Sequence, residues 1–274
     1  MNKKKIANLA PYGYITPITV ILIGFVIVSV IISIVLSFTR YNIMTPPTFY
    51  GLKNYERLVT DTKFMKALFN TLKLMVMIVP LQMILSLIVS VFSVSHRHML
   101  IGKIANSVIF IPVLCSNAAT GVIWRELLNG KIPAVETFFG LFGIKASMLL
   151  GNAKTALAVV AAVAIWKMLG YYVDGAGTVT RFFRITLPML KPTIILAVFL
   201  SITSSLQCFD LIYTMTGGGP NNASTTLVIY AYSLCFAGSS SAGYAMAVSN
   251  ILFVVILVIA MLQRGMMKRE ASEI

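Results

Sequence analysis

Long apolar runs separated by short polar breaks set the pattern of this chain. Six of them, at about 14–38, 71–94, 103–124, 153–172, 193–215 and 245–263, come near the length of about 20 residues that a helix needs to cross a bilayer. A lipid-facing backbone must satisfy its hydrogen bonds within its own segment, so such runs fold as helices. The pattern predicts an all-α fold, a polytopic membrane bundle of about six transmembrane helices. The first run follows Lys3, Lys4 and Lys5. It is too long for the apolar region of a signal peptide and no clear small-residue cleavage site follows, so a retained helix is expected.

One polar interruption has more pattern than a turn needs. Residues 173–192 read VDGAGTVTRFFRITLPMLKP. Ala176, Val179, Phe182 and Phe183 recur at roughly helical spacing, with Arg181 and Arg184 beside them. Asp174 can accept backbone N–H groups at the start of such a helix. Gly175 and Gly177 are poor helix formers that suit a close backbone approach. Pro188 and Pro192 suit a chain that turns and restarts. The segment is expected to be a short amphipathic helix outside the bilayer, its apolar face entering a groove on a partner.

Composition strengthens the membrane reading. Of 274 residues, 58% are hydrophobic and only 11% charged, against about 25% charged in soluble domains. The net charge of +14 does not point to nucleic acid, because the basic residues sit mostly at the ends of apolar runs, where topology and anionic lipid account for them. The lysine run favours a cytoplasmic N-terminus; with an even number of spans both termini are then cytoplasmic. Cys115, Cys208 and Cys235 lie in or beside apolar segments without metal or disulfide spacing and read as small apolar fillers. His96 and His98 flank Arg97 with no accompanying ligand cluster, so a charged, lipid-facing turn is expected and no metal. Gly217, Gly218 and Gly219 precede Pro220 rather than Lys and Ser or Thr, so they do not form a phosphate-binding loop. Energy must come from another chain or from an ion gradient, and no cofactor is expected.

Polar residues inside late apolar runs carry the site signal, because burying them in a membrane is costly. Gln207, Asp210 and Tyr213 are spaced to share one helix face, with Phe209 between them. Ser249 and Asn250 fall in the last run. These residues line a cavity or hydrogen-bond between helices to hold the bundle together.

The motif in 173–192, V-D-G-A followed by Phe182, Ile185-Thr186-Leu187-Pro188, Leu190 and Pro192, is similar to the cytoplasmic coupling motif of ABC-importer permeases. It resembles most the carbohydrate-uptake branch, of the maltose and glycerol-phosphate permease type. Gly51-Leu52-Lys53-Asn54-Tyr55, then Ala67-Leu68 with Asn70-Thr71, resembles the first external loop of that branch. Phe110-Ile111-Pro112, Trp124-Arg125, Ile165-Trp166-Lys167 and Thr216-Gly217-Gly218-Gly219-Pro220 with Thr225-Thr226 resemble its later landmarks. The chain departs from the branch in one place. Gly170-Tyr171-Tyr172 runs straight into Val173, without the Glu-Ala-Ala that precedes the motif in the family. On the order of 20 residues have no counterpart, enough to finish the fourth span; either they are naturally deleted or they are unrepresented in the sequence, and the second is the favoured reading.

The resemblance implies a single permease domain over 1–274, with a core of about 64–264 and a coupling element at 173–192. It implies a non-catalytic subunit of a sugar importer in a bacterial-type cell membrane. Its partners would be a second homologous permease subunit, two ATPase subunits, an extracellular solute-binding protein and the sugar. Asp174, Gly175, Ala176, Phe182, Phe183 and Pro188 would couple to the ATPases. Gln207, Phe209, Asp210, Tyr213, Ser249 and Asn250 would line the sugar path, where hydroxyls need paired donors and acceptors and an aromatic ring covers the apolar face of a pyranose. An ion-gradient-driven secondary transporter is the alternative, kept open by the intramembrane carboxylate of Asp210. The small span count and the lack of a visible inverted repeat oppose it.

Overall fold

The computed structural model describes residues 15–95, 108–172, 187–237 and 241–271. Asp174, Gly175, Ala176, Phe182 and Phe183, the junction into Val173 and the His96–His98 turn lie outside the described residues. Pro188 falls in the first turn of a described helix.

In chain order the elements are α1 (Ile15–Ser37), a hairpin of β1 (Thr39–Asn42) and β2 (Thr45–Phe49), α2 (Lys53–Thr60), α3 (Thr62–Ser95), α4 (Val108–Leu114), α5 (Asn117–Leu127), α6 (Pro133–Gly140), α7 (Ala146–Gly151), α8 (Ala156–Met168), a 3-10 turn Leu169–Tyr172, α9 (Leu187–Leu206), α10 (Asp210–Met215), α11 (Leu227–Phe236) and α12 (Ala242–Ala271). The fold is helical, with one small hairpin. Three described helices are long and apolar enough to cross a membrane: Ile15–Ser37, Thr62–Ser90 and Ala242–Gly265. The α4–α5 pair, bent by 111°, makes a fourth if taken as one span.

The expected spans thus differ in detail. The described part of the run 103–124, from Val108 on, becomes the α4–α5 bend, because Ser116 starts a new helix: its Oγ accepts the Ala119 N–H at 3.1 Å. The run 193–215 stops at Leu206 and restarts at Asp210. The run 153–172 gives the 13-residue α8 and its 3-10 turn. α11 has only ten residues and falls below a spanning length.

The chain divides into two compact units: residues up to Thr60 with Ala231–Ile251, and Asp61–Tyr230 with residues from Leu252 onward. In the first, β1 and β2 pair antiparallel, Thr39 opposite Phe49 and Arg40 opposite Thr48. The buried Asn54 amide of α2 donates to the carbonyls of Ser37 (2.7 Å) and Thr39 (2.9 Å), fixing how the chain leaves α1. Gly243 lies so close to this corner that a Cβ would stand 2.2 Å from the Thr39 carbonyl oxygen. Nearly all of α1's side chains are exposed, an apolar surface suited to lipid.

The second unit packs α3, α8 and α10 around Leu74, Ile78, Val160, Ala161, Ala164 and Ile212. Asp61 starts α3 by accepting the Lys63 N–H at 2.9 Å. Pro80 is accommodated inside α3; membrane helices tolerate proline where neighbours or local adjustments satisfy the freed backbone group.

Candidate functional site

The helix break between α9 and α10 builds the site. α9 ends at Leu206, and α10 restarts at Asp210 after Gln207, Cys208 and Phe209. Leu211, Ile212 and Met215 of α10 are buried in the core formed with α3 and α8. Gln207, Asp210 and Tyr213 are exposed, on the side that core does not cover. The Phe209 and Tyr213 rings are stacked, 5.3 Å between centroids and 15° between planes. The break and the short helix after it therefore present an amide, a carboxylate and a paired aromatic face, with Gln207 in the break rather than on one continuous helix with Asp210 and Tyr213.

Two contacts set the position of α10. Gly121 of α5 packs against it so closely that a Cβ would lie 1.8 Å from Thr214 Oγ1 and 3.2 Å from the Leu211 carbonyl oxygen. After α10, the loop from Thr216 to Thr226 is tied down at both ends. Ser224 Oγ donates to the Gly219 carbonyl at 2.6 Å, and Thr225 Oγ1 to the Gly218 carbonyl at 2.9 Å. Gly218 has φ +87°, and a Cβ there would stand 2.6 Å from Thr225 Oγ1, so glycine is required.

The start of α3 grips the same loop. Lys66 Nζ donates to the Asn221 carbonyl (2.7 Å), and the Asn70 amide donates to the carbonyls of Asn222 (3.0 Å) and Thr225 (2.9 Å). Thr71 Oγ1 accepts the Leu227 N–H at 2.9 Å, and Tyr230 donates its hydroxyl to the Asp61 carboxylate. The Asn-Thr pair after Ala67-Leu68 and the Gly-Gly-Gly-Pro loop, some 150 positions apart in the chain, are thus one assembly. Both motifs are visible in the sequence, whereas their meeting is not. Gly121 carries no spacing signal, and Lys167, a landmark of the Ile165-Trp166-Lys167 motif, carries none for its bonds to the Pro112 and Cys115 carbonyls.

Ser249 and Asn250 belong to the other unit. Ser249 is exposed. Asn250 Oδ1 accepts from Ser33 Oγ at 3.1 Å, and its amide reaches the Tyr55 hydroxyl at 3.4 Å, a helix-to-helix pairing. Among the described residues no group of His, Cys, Asp and Glu could hold a metal ion.

No protein-family model matches the chain. Relatives do. The multiple sugar-binding transport system permease MsmF of Streptococcus mutans is 30% identical over 259 residues, covering 85% of this chain and 86% of its own. The trehalose/maltose transport system permease MalF of Thermococcus litoralis is 26% identical over 285 residues, covering 95% and 96%. The arabinooligosaccharides transport system permease AraP of Bacillus subtilis is 28% identical over 279 residues, covering 92% and 87%. Among solved structures, a bacterial ABC transporter involved in import of the acidic polysaccharide alginate has a chain with TM-score 0.78, 21% identity and coverage of 97% and 98%, which establishes the shared fold. The chain is an integral membrane protein and belongs to the family of permease subunits of sugar ABC transport systems.

Proposed function

We propose that this chain is the permease subunit of an ATP-driven importer of an oligosaccharide and forms half of the translocation path. The observation that carries the reading is the exposed face of α10, where Gln207 and Asp210 stand beside the stacked Phe209–Tyr213 pair. Hydrogen-bonding groups next to an aromatic face are what a sugar ring needs, and a helix break within an apolar run is tolerated where it lines a cavity. The permease relatives transport trehalose and maltose or arabinooligosaccharides by name, which supports a sugar of this class.

A single permease domain would work with a second homologous permease subunit, two ATPase subunits and an extracellular solute-binding protein. ATP hydrolysis takes place on the partner chains. Lys3, Lys4 and Lys5 ahead of α1 support cytoplasmic termini, with the β1–β2 hairpin outside. Coupling falls to Asp174, Gly175, Ala176, Phe182, Phe183 and Pro188, and Gly175→Trp should uncouple hydrolysis from sugar. Ser249 joins the sugar path, whereas the pairing of Asn250 with Ser33 supports a holding role.

The test is uptake of labelled sugars by the reconstituted complex, with and without ATP and the binding protein. Uptake that needs both is expected. Uptake by the isolated chain driven by a proton or sodium gradient would overturn the reading.

A further inference from the structure

The first unit contains a cleft of about 960 Å³ framed by the hairpin, the start of α2 and the start of α12, with Arg40, Arg57, Tyr41, Tyr50 and Tyr244 among its walls. No carboxylate lines it. The Arg57 guanidinium lies 4.3 Å from the Tyr244 ring centroid, and the Lys53 ammonium 5.1 Å from that of Tyr50. These contacts orient the two cations without neutralising them. Among the described residues, neither Arg40 nor Arg57 is in an ion pair.

The walls are locked together. Asn54 ties α2 to the chain on either side of Phe38 through two hydrogen bonds. The missing side chain of Gly243 lets the α12 start lie close against the Thr39 carbonyl. A cleft with fixed walls, aromatic faces and uncompensated guanidinium groups has the attributes of a ligand site, and its volume is at the upper end of the range of about 300–1,000 Å³ for such sites. That is more space than one side chain of a docking protein needs. Guanidinium groups pair with carboxylate and phosphate through parallel N–H bonds, and tyrosine rings and hydroxyls suit sugar rings.

We propose that this cleft binds saccharides carrying an anionic group, with Arg40 and Arg57 holding the anion and the tyrosines the ring. It is distinct from the α10 face. The proposal rests on the sugar-import reading and adds a charge preference to it.

The test uses the assembled importer in lipid nanodiscs, without nucleotide or binding protein. The probes are a galacturonic acid trisaccharide and the neutral maltotriose, measured by equilibrium binding. The charged trisaccharide should bind saturably, lose affinity as salt rises, and bind about tenfold more weakly in Arg40→Gln and in Arg57→Gln. Maltotriose should bind more weakly and show no response to either substitution. Equal affinity for the two sugars, or charged-sugar binding indifferent to salt and to both substitutions, would overturn the proposal. The comparison of charged with neutral sugar needs no variant, so a variant that fails to assemble does not shield the idea. If, in a separate pull-down with the solute-binding protein added, the substitutions abolish its capture while charged-sugar binding persists, the occupant is a protein carboxylate and the proposal is wrong. ATP-driven uptake by the same wild-type complex is scored separately: its absence with cleft binding intact sinks the import reading alone.

Discussion

Lys167 Nζ donates a 2.6 Å hydrogen bond to the carbonyl oxygen of Cys115. It also reaches the Pro112 carbonyl at 3.2 Å. Both carbonyls lie where α4 ends and the chain turns by 111° into α5. The last carbonyls of a helix have no intrahelical donor, and the helix dipole places negative charge there. A buried ammonium, 4% exposed, answers both needs. Trp124 of α5 and Trp166 of α8 meet edge-on, 5.6 Å between ring centroids.

Lys167→Met should therefore leave the α4 carbonyls unmet in an apolar setting. A loss of about 1–3 kcal/mol is expected for such groups, read as a lower unfolding temperature of the detergent-purified complex. Lys167→Arg keeps the charge and should fall between the two. A methionine variant as stable as the wild type would show that water takes over the bond.

Gly121→Ala should displace α10, because the new methyl meets the Thr214 side chain and, at 3.2 Å, the Leu211 carbonyl oxygen. Overpacking of this kind costs about 1–3 kcal/mol. Thr214→Ala in the same chain removes the 1.8 Å clash and should restore part of the stability. Additive losses in the double variant, measured by thermal unfolding, would count against direct contact.

These two contacts show where the sequence stops being legible. Apolar run length found α1, α3 and α12, because spanning helices need a minimum length whatever their neighbours do. The breaks after Leu114 and Leu206 interrupt apolar runs without a polar stretch, and run length cannot show them. Ser116 was the available sign at the first break, as a residue suited to start a helix. At the second, the spacing of Gln207, Asp210 and Tyr213 predicts one continuous helix face, whereas the helix starts only at Asp210 and Gln207 lies in the break before it. Lys66, Asn70 and Thr71 act through backbone groups of residues 221–227. Such bonds depend on tertiary placement and leave no periodicity.

Asn70→Leu and Thr71→Val should loosen the loop after α10. Each removes one side of the grip and leaves backbone groups unpaired, a loss of about 1 kcal/mol per hydrogen bond. Hydrogen exchange should rise at 221–227 in both variants, while the α8 core stays protected. Unchanged exchange there would show that the loop's internal bonds from Ser224 and Thr225 suffice.

Glu136, outside the candidate spans, accepts the N–H of Ser147 at 3.1 Å and of Ala146 at 3.2 Å. The Ser147 backbone bond in particular holds its pKa below the ordinary 4.5. A carboxyl group with a lowered folded pKa adds stability above its unfolded pKa and loses it as pH falls through the folded one. Amide exchange at Ala146 and Ser147, corrected for intrinsic rates, should therefore rise on acidification from about pH 7 to about pH 3. Glu136→Gln should raise it at neutral pH and flatten the profile. A wild-type profile without that rise would remove the carboxylate from the account.

The stacked pair on α10 gives the sharpest test of the sugar path. If Tyr213 meets the sugar, its ring and its hydroxyl contribute separately. Tyr213→Phe keeps the stack with Phe209 and removes only the hydroxyl, so uptake should fall about fivefold, the worth of one hydrogen bond. Tyr213→Ala removes the ring as well and should cost a further factor of about ten, aromatic contacts being worth about 0.5–1.5 kcal/mol beyond their buried area. That extra loss should be greater for longer sugars, which need more of the ring face. Asp210→Asn replaces a charged acceptor by a neutral one of the same shape, and uptake should drop by about tenfold or more. Both side chains are exposed, off the core of Leu211, Ile212 and Met215, so assembly of the complex should survive in all three variants, as judged by copurification of the ATPase subunits. Variants that fail to assemble would make these residues part of the packing. Variants that assemble and transport at the wild-type rate would place the sugar path on other helices.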